Sequence, residues 1–292
     1  MALADRVVPA VVADGSEMRV VAPRFRPDPA LSHHEMETLQ REIADVAVFS
    51  DDLPFDPELV GRRNETLAGA GEAAPANRST NEDTDPSETT IPTVVAVDQA
   101  FLDDRAVGAA VALRGGDVIE RTHAVTQVEI PYIPGLLAFR EGEVALAALE
   151  SLDAKPDLLL VDGSGRIHYR EAGIATHLGV LFDVPAIGVA KGLLCGTPRE
   201  PVDDLPEGER VPIEAGDDVT APTGETIGYA VQTRQFDSSR RINPVYVSPG
   251  HRVGAETAAD LALATCAGYK LPEPIRLADA YAAEAKSEID GG

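Results

Sequence analysis

Two apolar runs in this 292-residue chain end in a bare carboxylate: "VVAVD" closes on Asp98 and "LLLVD" on Asp162. Unbroken Val and Leu runs are the pattern of strands buried on both faces. A carboxylate at the end of such a strand costs on the order of several kcal/mol unless it is paired or binds a cation. In open α/β sheets, ligands collect outside the carboxyl ends of the strands, which is where both acids would lie. A third acid, Glu141, sits just inside the helix expected after the "PYIP" turn. Three convergent carboxylates without cysteine ligands suit a hard divalent ion, Mg²⁺ or Mn²⁺. Taken singly, each acid also reads as a helix-turn or loop-capping group. Taken together, they favour the metal site.

Three neighbouring motifs add to this. "DGSGR" at 162–166 sets glycines around Ser164, so backbone can approach a ligand closely. "SPGHR" puts His251 just before a helix, where a neutral imidazole can bind or relay. Pro131-Tyr132-Ile133-Pro134 belongs neither to a central strand nor to a helix interior, because each proline lacks a donor and fixes φ. It is a stiff turn that displays an aromatic ring.

The elements that must position these residues are legible in outline. Ser32 and Glu35 have capping-box spacing, and helical apolar spacing follows, which predicts a helix over about 33–48. Residues 63–90 are rich in Gly, Ala, Pro, Ser, Thr and acids and poor in large apolar groups, and read as a disordered acidic insertion. Then come "TVVAVDQAF", "RAVGAAVALR", "DVIERTHAV" and a short candidate "TQVEI" as antiparallel strands. Helices are expected near 138–151, 172–183, 254–267 and 275–287, with strands at 156–162, 186–191, 225–234 and 243–248 between them. Antiparallel strands followed by βαβ units predict an α/β fold: a mixed sheet flanked by helices. Three regions result: an N-terminal extension with a helix packed on the core (1–62), the acidic insertion (63–90), and a core with C-terminal helices (91–292).

Composition restricts the setting. The formal net charge is −24, and only four of the 25 basic residues are lysines: Lys155, Lys191, Lys270 and Lys286. Acid excess with scarce lysine is the signature expected of a surface kept hydrated in a salt-rich cytoplasm. Cys195 and Cys266 fit neither a disulfide framework nor a zinc spacing. No run approaches the length of a membrane span, and the expected location is cytoplasmic.

With those residues in view, the strings "VAVD" (95–98), "PYIPGLLAFRE" (131–141), "PDLLLVDGSGRIHYR" (156–170), "GIATHLGVLFDVPAIGVAKGLLCG" (173–196) and "VSPGHRVGAETA" (247–258) closely resemble the endonuclease V family. The resemblance implies a ribonuclease-H-like fold. It also implies a Mg²⁺-dependent endonuclease of DNA repair that nicks the second phosphodiester bond 3′ to deoxyinosine, leaving a 5′ phosphate. Carried over by motif, Asp98, Glu141 and Asp162 resemble the metal-binding acids and His251 the histidine that completes the catalytic site. Pro131, Tyr132, Ile133 and Pro134 resemble a wedge against the base stack, and Gly135, Leu137, Gly163 and Gly188 a pocket for the extruded base. Arg140, His168 and Lys191 match positions expected to contact the phosphate backbone.

Many relatives have Asp-Gly-His-Gly where Ser164 stands here. The implied partner is DNA containing deoxyinosine, with inosine RNA as the alternative, and the expected state is a monomer. Arg140, Arg166, Arg170, Lys191, Arg240, Arg241 and Arg252 cluster around the motifs and predict a basic groove on an acidic body. Rival readings are a flap or junction nuclease of the same fold and a non-catalytic inosine-binding protein. The composition also predicts salt dependence: dialysis from molar KCl to low salt should lower the thermal midpoint, and unchanged melting would contradict the halophilic reading.

Overall fold

The computed structural model describes residues 18–62, 90–236 and 241–290. The acidic insertion expected over 63–90 lies outside the described residues except for Thr90, as does Arg240. The first helix, α1 (His33–Val46), begins at the capping box: the Ser32 side chain accepts from the Glu35 amide and the Glu35 carboxylate from the Ser32 amide. These bonds satisfy donors that an uncapped first turn leaves open.

Ten-residue strands β1 (Thr93–Leu102) and β2 (Arg105–Arg114), with β3 (Asp117–Gln127), form an antiparallel meander on tight turns. The candidate strand at 126–130 is not separate, since Thr126 and Gln127 are simply the end of β3. After α2 (Leu137–Glu150) come β4 (Leu158–Asp162), α3 (Ile174–Phe182) and β5 (Ala186–Ala190). Strands β1, β4 and β5 run parallel. Next are β6 (Thr197–Pro198), β7 (Arg210–Glu214), β8 (Thr226–Val231), β9 (Val245–His251), α4 (Ala255–Ala264) and α5 (Glu273–Asp290). Strand β7, in a segment dense with Pro, Gly and acids, was not legible from its short pattern.

One mixed nine-stranded sheet results, in the order β3-β2-β1-β4-β5-β9-β8-β7-β6. Its first five strands make the expected ribonuclease-H-like arrangement. Side chains alternate across it. Val95, Val97, Leu159 and Val161 pack with α2 and α3, whereas Val94, Ala96, Leu158 and Leu160 pack with α4 and α5. That alternation is the period of two along a strand, and it sets which helix can meet which acid.

Helix α3 is buried along its whole length, which explains its almost wholly apolar sequence. Its one histidine, His177, bonds through Nε2 to the Phe25 carbonyl and so ties the N-terminal segment to the core. Burial pushes this imidazole down to about 4. The folded state therefore excludes a proton that the unfolded chain takes up near 6.5. This contribution is fully present above that value and is lost as pH falls toward 4, by at most about 3 kcal/mol. Denaturant midpoints between pH 7 and 4.5 should fall less steeply in a His177→Gln variant than in the parent, and identical slopes would refute the assignment.

Candidate functional site

The register of β1 with β4 pairs Val97 with Val161, so Asp98, inside β1, and Asp162, the last residue of β4, lie at the same level on neighbouring parallel strands. Both follow the parity of Ala96 and Leu160 and face the α5 side of the sheet. There α5 presents a stripe of Ile275, Ala278, Ala282 and Ala285 at helical spacing, whose small side chains let the helix lie close against the sheet. Asp279, on the flank of that stripe, joins the two strand acids. One carboxylate oxygen each from Asp98, Asp162 and Asp279 lies within 4.8 Å of the others.

Asp279 was missed in the sequence because a helix in an acid-rich chain carries many surface acids. The available signal was its place immediately after a buried alanine in a helix that had to pack at the strand ends.

Lys191, directly after β5, puts Nζ 2.7 Å from Asp162 Oδ2 and 3.8 Å from Asp279 Oδ1. The sequence assigned Lys191 to phosphate, whereas in the structure its ammonium bridges two of the acids. The Asp98 carboxyl is pushed up to about 8, first by burial and then by the charge of Asp162, although the Gln99 amide donates to it at 2.8 Å. Glu141 comes from α2 on the opposite face of the sheet, and its carboxyl is pushed up to about 7 by burial, with Asp162 adding to the rise. Glu141 is thus near the centre electrically, but outside the tight group of three. An all-oxygen donor set in which burial, with like charge beside it, holds one member protonated fits a hard divalent ion.

Beside the acids opens a cavity of about 300 Å³. Its walls include Tyr132, Gly135, Leu137, Gly163 and Ser164, and Gly163 directly follows Asp162. Gly188 lies behind this wall instead of lining it. A Cβ there would come within 2.5 Å of the Gly163 carbonyl oxygen, so its glycine admits the 163–165 backbone. In the turn before α2, Tyr132 is 63% exposed, which leaves its ring free for a partner. Arg140 lies between rings, its guanidinium 4.5 Å from the Phe101 centroid and 5.9 Å from that of Tyr132.

Of two further expected site residues, His251 falls elsewhere and His168 lines the cavity with both its nitrogens engaged. His251 pairs with Ala186 at the start of β5, whereas Asp162 pairs with Val189 near its end, so the imidazole sits toward the other end of the sheet. Both its nitrogens are engaged: Nδ1 accepts from the Val48 amide at 3.2 Å, and Nε2 is 3.1 Å from Asp183 Oδ1. Strand β9 runs on through Pro249 and Gly250, which carries the histidine away. His168 is buried and neutral, with its pKa pushed down to about 4 by desolvation. Its Nε2–H donates to the Gly135 carbonyl and its Nδ1 accepts from the Arg170 amide, so neither nitrogen reaches outward for phosphate.

Among the described residues, most cations of the expected basic groove are already paired with acids, Arg140 between its two rings being the exception. Arg166 pairs with Glu171 and Glu225, Arg170 with Glu37, Arg241 with Asp204, and Arg252 with Asp52 and Asp183. In so acidic a chain, these cations meet acids before any ligand does.

The raised carboxyl makes a prediction. The folded protein holds the Asp98 proton to about pH 8, and the unfolded chain releases it near 3.8, so the metal-free site destabilises the fold progressively as pH rises between them. Asp98→Asn should raise metal-free stability at pH 8 by about 1–3 kcal/mol and remove most of any stabilisation that added Mg²⁺ produces in the parent. Denaturant titrations with and without Mg²⁺ check both, and a variant that is less stable yet still responds to Mg²⁺ would overturn the assignment.

Comparison with known proteins agrees with the geometry. A family model for Endonuclease V matches residues 76–280. Endonuclease V of Haloarcula marismortui, a halophilic archaeon, is 56% identical over 273 residues, covering 92% of this chain and 98% of the relative. The crystal structure of Endonuclease V from Streptomyces avermitilis superposes with a TM-score of 0.68 at 30% identity, covering 94% of this chain and 99% of that one. Ciona intestinalis Endonuclease V, crystallised with a 24mer DNA containing an inosine followed by a ribo-adenosine, shares the fold with a TM-score of 0.61 at 24% identity, covering 88% and 98% of the two chains. The chain belongs to the endonuclease V family.

Proposed function

We propose that this protein is a Mg²⁺-dependent endonuclease that recognises deoxyinosine in DNA and hydrolyses the second phosphodiester bond on its 3′ side. The observation that carries the reading is the adjacency of two features: a cluster of carboxylates and a cavity of about 300 Å³, which share the Asp162-Gly163 turn. A cavity of that size accommodates one purine base, and an enzyme that acts at a single altered nucleotide gains access by taking its base out of the stack. The inosine-containing DNA bound by the Ciona relative supports the same substrate class.

In this reading Tyr132, at the tip of the proline-stiffened turn, enters the gap left by the extruded base. Stacking of a base on an aromatic ring contributes about 1–3 kcal/mol. Backbone groups of Gly135, Gly163 and Ser164 read the base edge, and Leu137 packs against it. Asp98, Asp162 and Asp279 hold the metal. When bound, the ion supplies Lewis-acid neutralisation of the scissile phosphate and lowers the pKa of a water. Glu141, with a carboxyl poised near 7, is suited to hold or accept a proton from the attacking water at neutral pH. Lys191, now against Asp162 and Asp279, would be free to contact the phosphate were those acids to hold a cation.

The test is cleavage in molar KCl with Mg²⁺ of an end-labelled duplex carrying one deoxyinosine, beside a matched normal duplex and an inosine RNA. A nick one nucleotide beyond the lesion is expected in the first substrate alone. Asp162→Ala and Asp279→Ala should each lose at least about 10²-fold in rate, as expected when charge stabilisation at the reacting phosphate is removed, whereas His251→Ala should keep most of its activity. Preference for the RNA would move the role to RNA processing. Equal cleavage of lesion-free branched DNA would favour a structure-specific nuclease, and an active Asp279→Ala would remove that residue from the site.

A further inference from the structure

The carbonyl oxygen of Gly135 accepts from three side chains brought together from distant parts of the chain: Gln40 Nε2 at 2.9 Å, His168 Nε2 at 3.0 Å and Arg170 Nη2 at 3.1 Å. A carbonyl has two lone pairs, so this is one donor more than satisfaction requires. Each donor is itself held. Gln40 Oε1 accepts from Arg170 Nε at 2.7 Å, Glu37 Oε1 from Arg170 Nη1 at 3.0 Å, and His168 Nδ1 from the Arg170 amide at 3.2 Å. Gln40 is 0% exposed, although it belongs to α1, which lies outside the stretch matched by the family model.

Gly135 is a joint. Its φ of +79° is a left-handed conformation that strains any other residue, and a Cβ there would lie 3.1 Å from Tyr169 Cδ2 and 3.2 Å from Arg170 Nη2. On one side of it is the turn that displays Tyr132. On the other is α2, which carries Arg140 and Glu141. Gly135 also lines the cavity. Whatever fixes its carbonyl therefore fixes the ring, the cavity wall and the start of α2 relative to one another.

We propose that Gln40 is a positioning residue for lesion recognition: directly and through Arg170 it latches α1 onto the Gly135 carbonyl, beside His168, and holds the Tyr132 turn and the cavity wall in their binding geometry. The inference rests on the proposed function for what the cavity receives, but the latch itself stands on the hydrogen bonds. Buried polar networks of this kind restrict a segment to one arrangement only when every member is satisfied. Loss of one member should therefore loosen the turn without unfolding the sheet.

The experiment compares the parent with Gln40→Met, which keeps the length and removes the hydrogen bonds. Glu37→Gln is a second, part-exposed variant that weakens the hold on Arg170 if the first fails to fold. Amide hydrogen exchange without substrate should quicken at Tyr132, Ile133, Gly135 and Leu136 while protection in β1 and β4 holds. Steady-state cleavage of the deoxyinosine duplex should show KM raised about tenfold, the effect of losing one or two buried hydrogen bonds, with kcat changed less than about twofold. A merely structural role would instead lower protection throughout and move kcat and KM together.

Unchanged exchange in the turn overturns the latch. Faster exchange with unchanged KM overturns its part in recognition. A parent that cuts no inosine substrate refutes the functional reading, and the exchange data then decide the latch on their own.

Discussion

Two carboxylates on adjacent parallel strands, held at the same level by register, are the constraint around which the molecule is arranged. Neighbouring strands lie about 4.8 Å apart, and at that separation a buried carboxylate beside a second, part-buried one is costly to ionise without a cation between them. The chain meets this repulsion in three ways. The Gln99 amide donates to Asp98, Lys191 bridges toward Asp162 and Asp279, and Asp98 retains its proton well above the usual carboxylate range. None of these is a hydrophobic repacking that would simply remove the cost. A site that keeps an unfavourable charge arrangement, and surrounds it with replaceable compensation, is built to receive an ion.

The pleat of the sheet decides which other residues can take part. Because Asp98 and Asp162 share one face, the third acid of the tight group comes from the helix on that face, α5, and the acid on α2 approaches from the opposite side. This division gives the two acids different environments. Asp279 is half exposed at the mouth, with a side chain that is 54% accessible, and Glu141 is buried with a raised pKa. In the proposed function, metal holding and proton handling are thereby separated by the geometry of a single strand pair.

What was legible in the sequence follows the same logic. Asp98 and Asp162 could be found because each ends an apolar run that has no other reason to stop in a charge, and the Tyr132 turn because proline leaves few alternatives. The mixed sheet followed from the order of strand and helix patterns. Asp279 and Gln40 were hidden for a common reason. Each takes its meaning from a contact across more than 90 residues of chain, and each sits in an amphipathic helix whose local pattern accounts for it fully. His251 misled in the opposite direction. It stands in a conspicuous motif before a helix, yet the antiparallel return of β9 carries it toward the opposite end of the sheet. The cations misled because local sequence shows where a guanidinium lies along the chain, and only the fold shows which carboxylate it has met.

Those paired cations bear on how so acidic a chain can approach a polyanion. In molar salt the Debye length is about 3 Å, so a net charge of −24 exerts almost no repulsion at a distance. The same screening removes long-range attraction, and the counterion release that drives most DNA binding falls away as salt rises. Binding must then come from contacts that salt does not weaken: an aromatic ring in the base stack, a fitted apolar and backbone cavity, and charges that pair only at contact. Tyr132, the cavity beside Asp162, and a Lys191 able to trade one oxygen partner for another are contacts of this kind. For the proposed activity, this shifts the burden of affinity from overall charge to the rigidity of the turn and the cavity wall, where a buried glutamine from a distant helix holds the joint.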